Sequence, residues 1–228
     1  MSLEYSTDGS TWNDFIVGTT TVTLPNVGDK ICVRAKTTNS GFASSSSDYN
    51  KFVMTGKIAA SGSIMYLLKK EGDLDTIPSN NCFSNLFYYC RSLTQSPELP
   101  ATTLMVSCYL SMFEGCYSLT TASELPATTL LAGCYNSMFR DCTSLTTAPE
   151  LPATTLANFC YNNMFNGCSS LNSIKIDYTG NFSGTGVPTN AFYYWAYNVS
   201  ASGTLYYNGS DRTTGTNAIP TNWNVVQF

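Results

Sequence analysis

The chain contains no histidine, and only 11% of its 228 residues are charged. Without histidine, Ser-His-Asp and Cys-His catalysis are excluded, and so are most mixed zinc sites. The net charge is −4 and no basic cluster is present, which argues against a nucleic-acid partner. No apolar run reaches about 18 residues, so we predict no transmembrane segment. What remains is a chain that is 43% hydrophobic and long enough to bury a sizeable core.

The heptapeptide ELPATTL begins at Glu98, again at Glu124 and again at Glu150, so the sequence repeats every 26 residues. A fixed period of about 20 to 50 residues is typical of stacked repeats, in which each unit completes the core of its neighbours. Two series of cysteines follow the same period: Cys82, Cys108, Cys134 and Cys160, and Cys90, Cys116, Cys142 and Cys168.

The spacing within one unit predicts its local structure. Cys134, Met138, Phe139 and Cys142 have the spacing of one face of a short helix. An extended segment with inward leucines follows, and a proline ends it. We therefore predict an α/β leucine-rich-repeat solenoid of short parallel strands and short helical turns, with its repeat core at residues 82–176.

The order Phe-x-x-Cys-x-x-Leu followed by Leu-Pro resembles the BspA-like, or treponemal-type, leucine-rich repeats of bacterial surface proteins. This chain departs from the usual unit by one residue added before the Leu-Pro pair and two after it. The resemblance implies a surface or secreted protein that binds host or neighbouring-cell macromolecules. It is carried by Phe113, Cys116, Leu119, Leu125 and Pro126 in one unit, and by Phe139, Cys142, Leu145, Leu151 and Pro152 in the next.

The chain is predicted to have two parts. Residues 1–56 alternate in polarity around turns at Asp8-Gly9 and Gly28-Asp29, which predicts a small antiparallel β module; half of an immunoglobulin-like sandwich is one interpretation. Residues 57–228 are predicted to be the solenoid with a C-terminal cap. The first residues lack the charged and apolar regions of a signal peptide, so we expect a fragment of a longer protein.

The cysteines raise the question of disulfides or metal. No Cys-x-x-Cys pair is present, and cysteines eight residues apart on one helix are too far apart to bond. We predict that the eight repeat cysteines are buried free thiols that fill the core, and that Cys32 is buried in a strand. We expect no metal and no cofactor.

Two columns of side chains are candidates for binding. Glu98, Glu124 and Glu150 each precede a buried leucine, so they should form an outward acidic column, either solvated or facing a cation, a basic partner or Lys175. A second column of aromatic rings either packs in the core or stacks on sugars; its members are Tyr109, Tyr135 and Tyr161.

We expect a recognition module rather than an enzyme, because the chain shows no asymmetric polar cluster. The predicted function is adhesin-like binding of a protein or glycan ligand on host or neighbouring cells, at the cell surface or in secreted form. The alternatives are a carbohydrate-binding module and a structural spacer in a longer surface protein.

Overall fold

The computed structural model describes residues 1–69 and 75–228. Its strands form three small sheets: an antiparallel sheet of order β2-β1-β3, a parallel pair β4-β5, and a parallel sheet of order β6-β7-β8. One 3₁₀ helix spans Ile64–Leu67. The strands are β1 (Leu3–Ser6), β2 (Asn13–Phe15), β3 (Cys32–Ala35), β4 (Ile58–Ala59), β5 (Leu93–Gln95), β6 (Ser173–Ile176), β7 (Gly203–Tyr207) and β8 (Trp223–Val226).

The predicted α/β leucine-rich-repeat solenoid with short helical turns is wrong. Residues 1–69 and 75–228 contain no α-helix, and their strands lie in separate small sheets that do not join into one parallel sheet. The segment expected to be helical, from Cys134 to Cys142, has positive φ angles at Ser137 and Asp141, which no right-handed helix allows.

Consecutive reverse turns occupy the predicted helical positions, and neighbouring units hydrogen-bond through them. Within one unit the Met138 N–H donates to the Tyr135 carbonyl at 3.2 Å, and the next N–H, of Phe139, donates to Met164 of the following unit at 3.0 Å. The N–H groups thus bond alternately within their own unit and to the following unit. We call the residues that form this pattern the turn ladder. It comprises residues 80–89, 106–115, 132–141, 158–167 and 189–198.

A positive φ angle recurs at every fourth residue of the turn ladder. Asparagine, aspartate and glycine tolerate this left-handed conformation better than other residues, and they fill many of these positions. In each period of four residues, two side chains point inward and two point outward. Over one unit, the spacing of the inward side chains resembles that of one face of a helix. In the first four segments of the turn ladder, the positive φ angles lie at Asn81, Asn85, Tyr89, Ser107, Ser111, Gly115, Gly133, Ser137, Asp141, Phe159, Asn163 and Gly167.

The inward side chains of the turn ladder form continuous buried columns. Phe87, Phe113, Phe139 and Phe165 stack with ring centroids 5.5 to 5.8 Å apart and nearly parallel planes. Burial of such aromatic surface between units is the main source of stability available to a stacked repeat. The core is therefore shared by all units rather than closed within each one.

The Leu-Pro segments lie opposite the turn ladder and form isolated bridges instead of strands. Leu151 pairs with Ile176, and Thr147 with Ser173, both in the parallel sense. Pro149 and Pro152 lack N–H donors, so the segment cannot sustain a regular ladder of hydrogen bonds.

At the N-terminal side, the hairpin predicted at Asp8-Gly9 is confirmed, since β1 pairs antiparallel with β2. The Asp8 carboxylate accepts the N–H groups of Ser10 and Thr11, at 2.8 and 2.7 Å. Cys32 lies in β3 but is exposed, so the prediction that it is buried is wrong.

Residues that follow β3 cover the first repeat unit. Phe42 stacks on Phe83 with centroids 6.0 Å apart, and Phe52 stacks on Phe87 at 5.4 Å. The Phe52 N–H also donates to the Leu86 carbonyl at 2.9 Å. Residues 42–52 thus pack as a cover on the stack; the domain boundary at residue 56 stays a prediction.

The C-terminal residues close the other end of the aromatic columns. Trp195 is buried, stacks with Phe182 at 5.4 Å and donates its indole N–H to the Ala218 carbonyl at 2.7 Å. In the part of the chain that the structure describes, no helix has the length and hydropathy that a bilayer crossing needs.

Candidate functional site

The three glutamates of the acidic column are all exposed, on the side of the stack formed by the Leu-Pro segments. Glu150 is paired: its Oε1 atom lies 3.0 Å from the Lys175 ammonium on β6. The hydrogen bond to Glu150 raises the pKa of Lys175. Lys175 also lies 4.8 Å from the centroid of the Phe228 ring. One end of the column is therefore neutralised by the chain itself.

A shallow groove of about 380 Å³ adjoins this pair. Its walls come from β6, β7 and the segment before Glu150, and they are partly apolar. No side chain in it is both buried and unpaired, so the groove itself offers little that would orient a ligand. It is lined by Thr147, Ala148, Glu150, Ser173, Lys175, Tyr206 and Phe228.

The tyrosines at positions 109, 135 and 161 lie in the core. Their rings stack at 6.0 and 6.2 Å and expose 1% of their surface or less. Burial raises the pKa of all three hydroxyls. Because neither ring face reaches solvent, these residues pack as a core column, and a sugar cannot stack on them. The hydroxyls of Tyr109 and Tyr161 have no hydrogen-bond partner among the described residues.

The repeat cysteines are free and buried. Burial raises the pKa of Cys82 to about 12 and that of Cys90 to about 11, so few thiolates form at neutral pH. Across residues 1–69 and 75–228, no three His, Cys, Asp or Glu side chains are grouped to hold a metal ion. The thiols are core groups and offer no nucleophile to a substrate.

The outward side of the turn ladder carries the richest surface chemistry, and we call it the turn face. At its N-terminal end Tyr88 and Tyr89 lie edge to face with centroids 4.7 Å apart, and Tyr117 lies 6.1 Å from Tyr89. The Arg91 guanidinium is 5.7 Å from the Tyr89 ring and 5.3 Å from the Tyr117 ring. Lys51 is 5.3 Å from the Tyr88 ring. We call these five residues the tyrosine cluster.

Charged and amide side chains occupy the middle of the turn face. The Glu114 carboxylate accepts a 2.7 Å hydrogen bond from Ser111 and lies 3.7 Å from the Arg140 guanidinium. Burial raises the pKa of Glu114, while the Ser111 bond and Arg140 oppose that shift. The Asn166 amide donates to the Asn163 side-chain oxygen at 2.8 Å, so these side chains are held by their neighbours.

A second group of tyrosines lies at the C-terminal end of the turn face. Tyr193 and Tyr194 are 4.5 Å apart, and Tyr194 and Tyr197 are 4.9 Å apart, all with steep interplanar angles. Tyr193 and Tyr197 are 42% and 40% exposed. Exposed aromatic rings thus flank a polar centre along the stack.

Sequence reasoning missed the turn face because it assumed a helix. The aromatic residues that it singled out, such as Tyr135, occupy inward positions of the turn ladder. The available signal was the recurrence of Asn, Ser, Asp and Gly every four residues, which marks the left-handed positions and hence the outward pairs, such as Tyr88 and Tyr89.

No protein-family model matches the chain, and neither a curated protein nor a solved structure shows significant similarity to it.

Proposed function

We propose that the chain is an adhesin-like recognition module of a cell-surface or secreted protein. It binds a protein or glycan on host or neighbouring cells through the outer surface of its stacked repeats. The resemblance to BspA-like repeats supports this proposal. The burial of every repeat thiol supports it too, because the side chains that a ligand can reach are then those on the outer surface.

The observation that carries the proposal is the turn face. It presents exposed tyrosines at both ends and charged and amide groups between them, on a backbone fixed by hydrogen bonds between units. Tyrosine and arginine are enriched in binding surfaces because they supply contact area and directional bonds at low entropic cost. A preorganised surface loses little conformational entropy when a ligand binds.

The acidic column is a second candidate surface for ligand binding. Glu98 and Glu124 stand exposed on the Leu-Pro side, whereas Glu150 already has Lys175 as its partner. A basic ligand would therefore gain most from the part of the column that contains Glu98 and Glu124. The expectation that the chain is not an enzyme stays a prediction.

The test is a binding screen of the purified chain against immobilised extracellular-matrix proteins and a glycan array. Variants Tyr89→Ala and Tyr197→Ala remove exposed rings from the two ends of the turn face. Tyr206→Ala is the matched control, because Tyr206 is a similarly exposed tyrosine that pairs with Lys175 on the strand side. Glu124→Gln tests the acidic column.

We expect at least one ligand whose apparent affinity falls about tenfold or more in a turn-face variant, the usual effect of truncating an anchor side chain. Tyr206→Ala should bind like the wild type. Binding that fails only in Glu124→Gln would move the site to the acidic column, and the absence of any ligand would contradict the proposed function.

A further inference from the structure

The ring of Tyr89 packs against a glycine of the next unit. A Cβ atom at Gly115 would lie 2.9 Å from both Cγ and Cδ2 of the Tyr89 ring, so one ring face rests on the Gly115 backbone. The side chain nevertheless remains 37% exposed. An exposed aromatic ring that is packed from beneath loses less freedom on binding than an unsupported one, which favours a ligand that stacks on it.

The tyrosine cluster also carries two positive charges, those of Arg91 and Lys51. Arg91 lies against the rings of Tyr89 and Tyr117, and Lys51 against the ring of Tyr88. Neither cation forms an ion pair with a carboxylate of the described residues. On a chain with a net charge of −4, a local excess of cations favours an anionic ligand.

The backbone beneath the cluster is already used. The Phe87 N–H donates to the Met112 carbonyl at 2.9 Å, and the Tyr89 N–H to the Glu114 carbonyl at 2.8 Å. An extended peptide that binds by strand addition needs free backbone groups, and these donors are not free. Strand addition through these two N–H groups is therefore excluded, and the side chains of the cluster have to supply the contacts to a ligand.

We propose that the tyrosine cluster binds an acidic saccharide, with a sugar ring against Tyr89 and Tyr117 and the sugar carboxylate on Arg91. The planes of those two rings meet at 80°, so they form a corner with two apolar walls. A guanidinium donates two parallel hydrogen bonds to a carboxylate, a geometry that an ammonium cannot supply. This inference rests on the proposed recognition function and names its ligand class.

The experiment is isothermal titration with a linear oligouronate and with the same oligosaccharide after its carboxyl groups have been reduced to alcohols. The wild type should bind the oligouronate, and added salt should weaken that binding. The reduced compound and the Arg91→Gln variant should each bind about tenfold more weakly or worse, as expected for loss of a charge-assisted bond. Arg91→Lys should restore only part of the affinity.

Tyr89→Ala and Gly115→Ala test the contribution of the tyrosine rings, with Tyr206→Ala as the control. Tyr89→Ala should weaken binding, and Tyr206→Ala on the strand side should not. Gly115→Ala should displace the Tyr89 ring and weaken binding without removing any group that contacts the sugar; its thermal melt establishes first that it is folded. If Gly115→Ala does not fold, Tyr117→Ala takes its place, because it removes the second wall of the corner.

Three results would overturn the inference. Equal binding of the oligouronate and its reduced form would exclude recognition of the carboxylate. Binding of an acidic peptide but not of the oligouronate would assign the cluster to a protein ligand, and the proposed function would stand without this inference. Failure of the oligouronate together with every protein and glycan in the wider screen would contradict both.

Discussion

The thiol of Cys142 donates a hydrogen bond to the carbonyl oxygen of Phe113, 3.2 Å away in the preceding unit. The same bond joins Cys116 to Phe87 at 3.2 Å and Cys168 to Phe139 at 2.9 Å. The second cysteine of each unit therefore does more than fill space. It supplies a second donor to a buried carbonyl that already accepts a backbone N–H within its own unit, as the Phe113 carbonyl accepts that of Cys116 at 3.1 Å.

Replacing Cys142 by alanine should destabilise the protein by about 1–3 kcal/mol. The change removes the second of the two donors to the Phe113 carbonyl, which keeps its bond from the Cys116 N–H, and it opens a small cavity. Urea unfolding would measure the loss, and Cys32→Ala serves as the control because Cys32 is exposed. A loss equal to that of the control would mean that the thiol bond contributes nothing.

Thiol labelling should distinguish Cys32 from the repeat cysteines. In the native protein a thiol reagent should modify Cys32 quickly and the eight buried thiols slowly, because burial both blocks access and raises their pKa. All nine should react in denaturant. Mass analysis after a short pulse gives the count, and the Cys32→Ser variant should remove the fast signal. Two or more fast-reacting repeat cysteines would contradict the burial of the columns.

Leu125 and Glu124 are neighbours with opposite surroundings. Leu125 is 1% exposed, and Glu124 faces solvent. Leu125→Ala should therefore cost about 2–5 kcal/mol of unfolding free energy, the usual range for a buried leucine. Glu124→Gln should leave the melting temperature unchanged. A large effect of Glu124→Gln would show that this carboxylate is buried and paired, which would remove it from the exposed acidic column.

The pH dependence of stability should report on Glu114. Burial raises the pKa of this carboxyl above its ordinary value of 4.5, so the folded protein binds more protons than the unfolded chain in that window. Stability from this group therefore falls as pH rises from about 4.5 through the folded pKa. Glu114→Gln should flatten the decline when unfolding is measured at several pH values, and Glu124→Gln should not. An unchanged slope in Glu114→Gln would assign the decline to other groups.

The sequence identified the period, the core positions and the β1–β2 hairpin, because each depends on a local or strictly repeated pattern. Met138 and Phe139 are buried as the spacing indicated. The helix was wrong because apolar pairs four residues apart fit both a helix face and the turn ladder, and only backbone φ angles, such as that of Ser137, distinguish them. Hydrogen bonds between units satisfy the turn backbone, and no single unit reveals them.

The binding candidates illustrate the same limit. The outward direction of Glu98, Glu124 and Glu150 followed from the buried leucine beside each of them. Tyr88 and Tyr89 were not distinguished from core aromatics, because on a helix they would belong to the same apolar segment. Their exposure depends on the left-handed residues at positions 85 and 89; Asn85 fits the recurrence that marks such positions, but Tyr89 does not.

The turn ladder, on which the turn face is built, is tested most directly by replacing Ser107 with glycine. Ser107 has a φ angle of 54°, which costs a serine roughly 1 kcal/mol and a glycine almost nothing. Ser107→Gly relieves that strain, and the greater entropy of glycine in the unfolded chain offsets about 0.4–1 kcal/mol of it, so the free energy of unfolding should stay the same or rise slightly. Ala132→Gly, at a residue without positive φ, should lower it. If Ser107→Gly instead lowers stability by about 0.5 kcal/mol, as glycine does in a helix, the turn ladder is contradicted.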